Sequence, residues 1–240
     1  NNGPARHFLR MSDASGSGSS RRSSCCFCDL GMGIPGTRDL HSPVRSLDQL
    51  YSQAVAMDWV LRQKVQAWAE KGLFPVLPSH PDAPSRTPSS PAPFLKWAEA
   101  KEDDELRRSV KWGRVKSVER AIEKAVRTYS SDVSFLVDIV RQCIVFESVA
   151  DLRDALQGIC ADPAVRVDRV KNRLSAAYDS WSSAGYRDVS LNLRVVTEET
   201  KRLGVENHVV EIQLLLVPFA RLKQDAGHQR YVAWRNERGQ

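Results

Sequence analysis

Apolar residues recur at helical spacing from Leu47 through Leu50, Tyr51, Ala54, Met57, Val60, Leu61, Val65 and Trp68. That period predicts an amphipathic helix running to Lys71, with Ser46 as N-cap and Gly72 as its stop. Seven prolines follow between Pro75 and Pro93, a composition that predicts a stiff, extended linker. Helices are expected over residues 94–108 and 117–129, the second burying Val118, Ala121, Ile122 and Ala125. β-Branched content predicts a buried strand over 134–146. An amphipathic helix over 148–160, capped by Ser148, and strands over 165–174 and 186–196 come next. A charged, turn-prone connector leads to an apolar strand starting at Val209, and a last helix is expected after Pro218. The order α, α, β, α, β, β, β, α predicts an α/β (α+β) fold, a mixed sheet flanked by helices.

One position breaks the pattern of the Val209 strand. Glu211 sits in Val209-Val210-Glu211-Ile212-Gln213-Leu214. Alternation puts Glu211, Gln213 and Leu215 on one face and Val210, Ile212 and Leu214 on the other. A carboxylate among such neighbours is costly to bury unless it is paired, hydrogen-bonded or metal-bound. Glu211 is therefore the first candidate for chemistry, against a plain solvent-facing position on an edge strand.

Composition adds the domain plan. Residues 1–46 are rich in Ser and Gly and read as a low-complexity arm. A helix over 47–72, the linker over 73–93 and a domain over 94–240 complete the division. The chain opens on Asn1, as a processed or partial product would, and its basic, Ser-containing start is a candidate remnant of a targeting segment. Of the five cysteines, Cys25 and Cys28 have C-x-x-C spacing without a second pair nearby, which reads as reduced thiols rather than a zinc site. No apolar run approaches the length of a membrane span, so an intracellular protein is expected, in the cytoplasm or an organelle interior. The net charge of +6 is spread over both halves of the chain and supports no nucleic-acid footprint. Lys116, Arg120, Lys124 and Arg127 line up as a basic stripe that reads as a solvated face or as a cradle for a polyphosphate.

Four pieces in order resemble the RelA/SpoT-like nucleotide pyrophosphokinase (alarmone synthetase) family, over roughly half of the chain. Arg114, Lys116 and Lys124 look like its ATP-binding helix motif. Val137-Asp138-Ile139-Val140-Arg141 is similar to the strand with the metal-binding Asp. Gly185-Tyr186-Arg187-Asp188 is similar to the Gly-Tyr motif whose Tyr stacks on guanine, and Val210-Glu211-Ile212-Gln213 to the E-x-Q strand with the catalytic Glu. His228 and Tyr231 fall where the family often has an H-x-x-Y-like element.

The resemblance implies a nucleotidyltransferase-like domain, ATP and a guanine nucleotide as ligands, and Mg²⁺ held by Asp138 and Glu211. It implies Glu211 and Asp138 as catalytic residues, and Tyr186, Lys171, Arg173 and Gln213 around the acceptor. The activity implied is transfer of pyrophosphate from ATP to the 3′-hydroxyl of GDP or GTP. The sequence also departs from the family pattern: Ser182 and Ser190 stand where a Lys and a His are usual, Gln142 where a small residue is, and Leu215-Leu216 where Arg-Thr follows. Lys171, Arg173, Arg187 and Arg194 are the cations on offer instead. These departures leave a second reading open: a catalytically degenerate copy serving as a structural or binding subunit of a large assembly, docked through residues 1–93. Asp138 also keeps a structural reading, paired with Arg141 or Arg114, and Tyr186 a reading as ordinary core. With five His and no metal-ligand spacing, a His-Asp hydrolase centre is not expected.

Overall fold

In the computed structural model, residues 44–77 and 94–224 are described; the arm's first 43 residues, most of the proline-rich stretch, and His228 and Tyr231 lie outside them. Helix α1 (Leu47–Trp68) opens with a capping box: the Gln49 amide N–H donates to Ser46 Oγ at 3.2 Å, and Ser46 N–H donates back to Gln49 Oε1 at 3.2 Å. Two backbone donors that the helix cannot satisfy itself are thereby paired. Leu50, Ala54, Met57, Val60, Leu61 and Val65 are buried as the period demands. The C-cap is Ala69, so the helix stops one turn short of Gly72.

The next elements follow in chain order as β1 (Leu73–Pro75), β2 (Phe94–Lys96), α2 (Trp97–Ala100), α3 (Asp104–Ser109), α4 (Val118–Tyr129), β3 (Arg141–Phe146), α5 (Val149–Ala161), β4 (Val165–Asn172), β5 (Val189–Val195), α6 (Glu198–Arg202), β6 (Val210–Leu216) and α7 (Val217–Gln224). The strands form one mixed sheet of six in the order β2-β1-β3-β6-β5-β4. Among the described residues only β3 and β6 pair in parallel.

Several expectations are corrected here. The strand expected over 134–146 is confined to β3. The Asp132 carboxylate accepts from Ser134 N–H at 2.9 Å and starts a short 3₁₀ turn, so residues 136–138 are an extended approach to the sheet. The helix expected over 94–108 begins as β2, because 94–96 find a partner in β1; α3 then starts on its own cap, Asp103. Tyr186 precedes β5 rather than opening it. The connector before β6 contains α6, capped by Thr197. Across the linker, β1 pairs with β3, and α1 shares one apolar cluster with Ile144, Phe146, Leu191 and Ile212.

The sheet has two unlike faces. On one, Ile144, Phe146, Leu191, Leu193, Val210, Ile212 and Leu214 are buried with residues of α1 and α5. On the other, Val145 and Leu215 pack with Leu73, Phe94 and Ala220 beneath α7, and the positions in register with Glu211 are polar. Gly113 backs onto β3, against the side chain of Gln142, which pairs with Ile212 and so lies on the first face. Its N–H donates to Gln142 Oε1 at 2.8 Å, and a Cβ there would lie 2.5 Å from the Arg141 carbonyl oxygen. Gly113→Ala is therefore expected to cost about 1–3 kcal/mol by overpacking, read as a lower urea midpoint with unchanged slope; an unchanged midpoint would show that the contact yields.

Candidate functional site

Asp138 is the centre of a small ion cluster. The 136–138 approach carries it to the edge of the polar face, where it is 6% exposed. Lys116 Nζ, from the extended segment before α4, lies 2.8 Å from Asp138 Oδ2, and Lys124 Nζ, from α4, lies 2.9 Å from the same oxygen. The partners that keep this carboxylate buried are these two lysines, not Arg141 or Arg114. Burial works against its charge, but Lys124 and Lys116 outweigh it and hold the carboxyl below the usual Asp range. Burial also lowers the Lys116 ammonium, against the pull of Asp138. The other carboxylate oxygen, Oδ1, is buried without a hydrogen-bond partner. Buried polar atoms are seldom left this way, and a water, an ion or a ligand donor would complete this one.

The basic stripe is split by the fold. Lys116 and Lys124 turn to Asp138, whereas Arg120 and Arg127 both pair with Glu123 on the outside of α4. Arg114 is exposed and takes no part in the Asp138 cluster.

Strand register sets out the rest of the face in two rows. Arg169, Asn192, Glu211 and Arg141 are cross-strand neighbours from β4 to β3, and so are Lys171, Ser190, Gln213 and Cys143. Directly paired residues share a face. Glu211 therefore points into the polar side, as alternation predicts, and it lies on an interior strand rather than an edge. Burial raises its carboxyl above the ordinary Glu range, and the Asp138 charge raises it further, opposed by Arg141 and Lys124. The Asn192 amide donates to the Val137 carbonyl at 3.3 Å, fastening the Asp138 approach to the row that holds Glu211.

The acceptor-side candidates stand at the β4 end. Tyr186 is half-buried beside Val145, Leu215 and Ala220. Its hydroxyl donates to Asp188 Oδ2 at 3.0 Å, and burial raises its pKa. Asp188 is fully buried and ion-paired with Arg173. Arg187 donates to the carbonyls of Arg173, Ser175 and Tyr178, which fixes the loop above β4. Lys171, Arg173, Tyr178 and Ser182 line an open cleft of about 420 Å³ there. Burial lowers the Lys171 pKa, helped by Arg169 and Arg173. Arg194 pairs with Asp168 away from this cleft. A second groove of about 420 Å³, between the ends of α1 and α5, lies on the apolar side of the sheet, away from both carboxylates.

Gln142, noted as a departure, lies on the α1 side of the sheet: 2% exposed, it grips both backbone polar groups of Gly113 and donates to Asp58. Two contributors were not picked out from sequence. Asn192 sits inside a stretch whose pattern says only strand. Lys223, on α7, donates to Gln213 Oε1 at 2.7 Å; it follows Gln213 of the E-x-Q strand by ten positions, and only the fold returns it to the site.

Two carboxylates, one with an orphaned oxygen, fit Mg²⁺, which keeps several waters and is held by one or two carboxylates together with substrate phosphates. Among the described residues no group of three or more His, Cys, Asp or Glu is placed to cage a metal by itself. No helix among the described residues is long and apolar enough to cross a membrane.

No family model and no curated protein matches the chain. Solved structures do. Small alarmone synthetase 2 from Bacillus subtilis superposes with a TM-score of 0.50 at 18% identity, covering 78% of this chain and 80% of that one. Small alarmone synthetase 1 from Bacillus subtilis, bound to its product pppGpp, gives 0.42 at 23% identity over 53% of this chain and 67% of that one. A GTP pyrophosphokinase family protein from Streptococcus pneumoniae gives 0.41 at 19% identity, over 53% and 60%. The six-stranded mixed sheet, with α1 and α5 on one face, shares its fold with small alarmone synthetase 2 from Bacillus subtilis.

Proposed function

We propose that the chain transfers pyrophosphate from ATP to the 3′-hydroxyl of GDP or GTP. The observation that carries this reading is Asp138, buried between Lys116 and Lys124 with one oxygen unpartnered, its approach hydrogen-bonded through Asn192 to the row that holds Glu211. Phosphoryl transfer needs alignment and charge neutralisation more than covalent help from the protein. Lys116 and Lys124 receive the ATP phosphates, exchanging part of their contact with Asp138 for contact with the incoming anion, and Arg114 reaches them from outside. Asp138 and Glu211 would hold Mg²⁺, which when bound offsets phosphate charge and orients the β-phosphorus.

The acceptor enters from the β4 side, its anionic groups toward Lys171 and Arg173 and its base toward Tyr186. Glu211 accepts the 3′-hydroxyl proton as that oxygen bonds to the β-phosphorus, and the bond to the bridging α–β oxygen breaks to release AMP. Gln213, hydrogen-bonded to Glu211 at 2.7 Å, borders the same space. The test is direct: incubate the purified chain with Mg²⁺, ATP labelled at the γ-phosphate and GDP or GTP. Label in a guanosine product, with matching AMP, is expected, and chelating Mg²⁺ abolishes it. A chain that turns over neither acceptor is not a pyrophosphokinase, and its fold then serves as a binding scaffold.

A further inference from the structure

From the geometry we infer that Lys223 is a positioning residue of this site: it orients the Gln213 amide, and through it Glu211. The inference rests on the proposed transfer for its functional meaning, but its geometry stands alone. The oxygen and nitrogen of a Gln side chain are told apart by their partners. An ammonium only donates and a carboxylate only accepts. Lys223 Nζ lies 2.7 Å from Gln213 Oε1, and Gln213 Nε2 lies 2.7 Å from Glu211 Oε1. With Lys223 in place, only one orientation of the amide satisfies both ends. It presents N–H to Glu211 Oε1 and leaves Glu211 Oε2 for a substrate. Without Lys223, a turned amide would set oxygen against carboxylate.

The fold supplies Lys223 from a fixed seat. α7 leaves β6 directly at Val217 and turns back over the face that carries Glu211 and Gln213. Ala220, 5% exposed, anchors it on Val145 and Leu215. The Lys223 ammonium also lies 5.8 Å from the centroid of the Tyr186 ring, within range of a cation–π contact. Tyr186 is tied in turn to Asp188, and Asp188 to Arg173. One run of contacts therefore joins the β4 cleft to Glu211, and Lys223 is the link between its aromatic part and its amide part.

The test compares Lys223→Met, which keeps the apolar stem, with Lys223→Arg, which keeps a donor. Lys223→Met is expected to lower kcat by about 10- to 100-fold, the scale of a small misalignment of a reacting group, with the KM for ATP unchanged. Lys223→Arg restores most of the rate. In nuclear magnetic resonance spectra the Gln213 side-chain amide protons shift in Lys223→Met and return in Lys223→Arg. A kcat untouched by Lys223→Met, or a loss that Lys223→Arg leaves in place, overturns the inference. Should the wild-type chain make no product, the pyrophosphokinase reading falls and the amide signal decides alone. Unmoved by Lys223→Met it overturns the inference; shifted, and returned by Lys223→Arg, it upholds the Lys223–Gln213–Glu211 arrangement.

Discussion

Glu211→Gln is expected to lower the rate of pyrophosphate transfer by about 10²- to 10⁴-fold, the range for loss of a positioned general base, while leaving the fold intact. The amide is nearly isosteric and its oxygen can still accept from Gln213 Nε2, so the local geometry survives. The pH profile of the wild type provides a second reading of the same group. Burial and Asp138 raise the Glu211 carboxyl, so the rising limb of activity should lie above the pH of about 4.3 expected for an unperturbed Glu. Stability runs the other way. A carboxyl raised in the folded state stabilises fully only below its unfolded value, and that contribution is lost as pH rises through the folded value. At neutral pH the Gln variant should accordingly be at least as resistant to denaturant as the wild type. An active Glu211→Gln enzyme would remove Glu211 from the chemistry; an unfolded one would show that the carboxylate is structural.

Asp138→Asn should act in the opposite sense on stability. It leaves the Lys116 and Lys124 ammonium groups facing each other with no anion between them, where now both contact one oxygen. Removing one partner from a buried ion cluster typically costs about 3–5 kcal/mol, and the partial exposure of Lys124 points to about 3 kcal/mol here. Activity is lost with it. The pH dependence follows from the depressed carboxyl. In the wild type this stabilisation is complete above the ordinary Asp value of about 3.9 and disappears as pH falls through the lower folded value; the variant should lack that acid limb. Inorganic tripolyphosphate should raise the variant's melting temperature more than the wild type's, since it supplies the missing anion. A variant as stable as the wild type, and indifferent to tripolyphosphate, would mean that the lysines find other partners and that Asp138 does not organise the site.

Those two residues also show where reading the chain succeeds and where it stops. Glu211 was visible because a strand alternates strictly: one carboxylate in an apolar run must point to a different face from its neighbours. Asp138 was visible through the resemblance, but its setting was not. The β-branched run around it reads as a single strand, whereas the Asp132 cap diverts the chain into a turn and delivers Asp138 on an extended approach. The lysines were read as one stripe, although Lys116 lies outside α4 and the partners divide the rest, Lys124 turning to Asp138 and Arg120 and Arg127 to Glu123. Three-residue strands such as β1 and β2 carry too few positions to show a period, and each exists because the other is there to pair with it.

By itself the sequence determined what short-range physics controls. The capping box and period of α1 and the alternation of β6 that singles out Glu211 follow from neighbours within about two helical turns, whereas Asp138, Lys116 and Lys124 were singled out by resemblance. Tertiary structure alone decided which of these groups meet. It placed Lys116 and Lys124 on one oxygen of Asp138, joined Asn192 to the Asp138 approach, paired Arg173 with Asp188, and brought Lys223 back over Gln213. The reason is that charge pairing and hydrogen bonding act over a few ångströms of space, and the order of strands in the sheet, not distance along the chain, sets which side chains come that close.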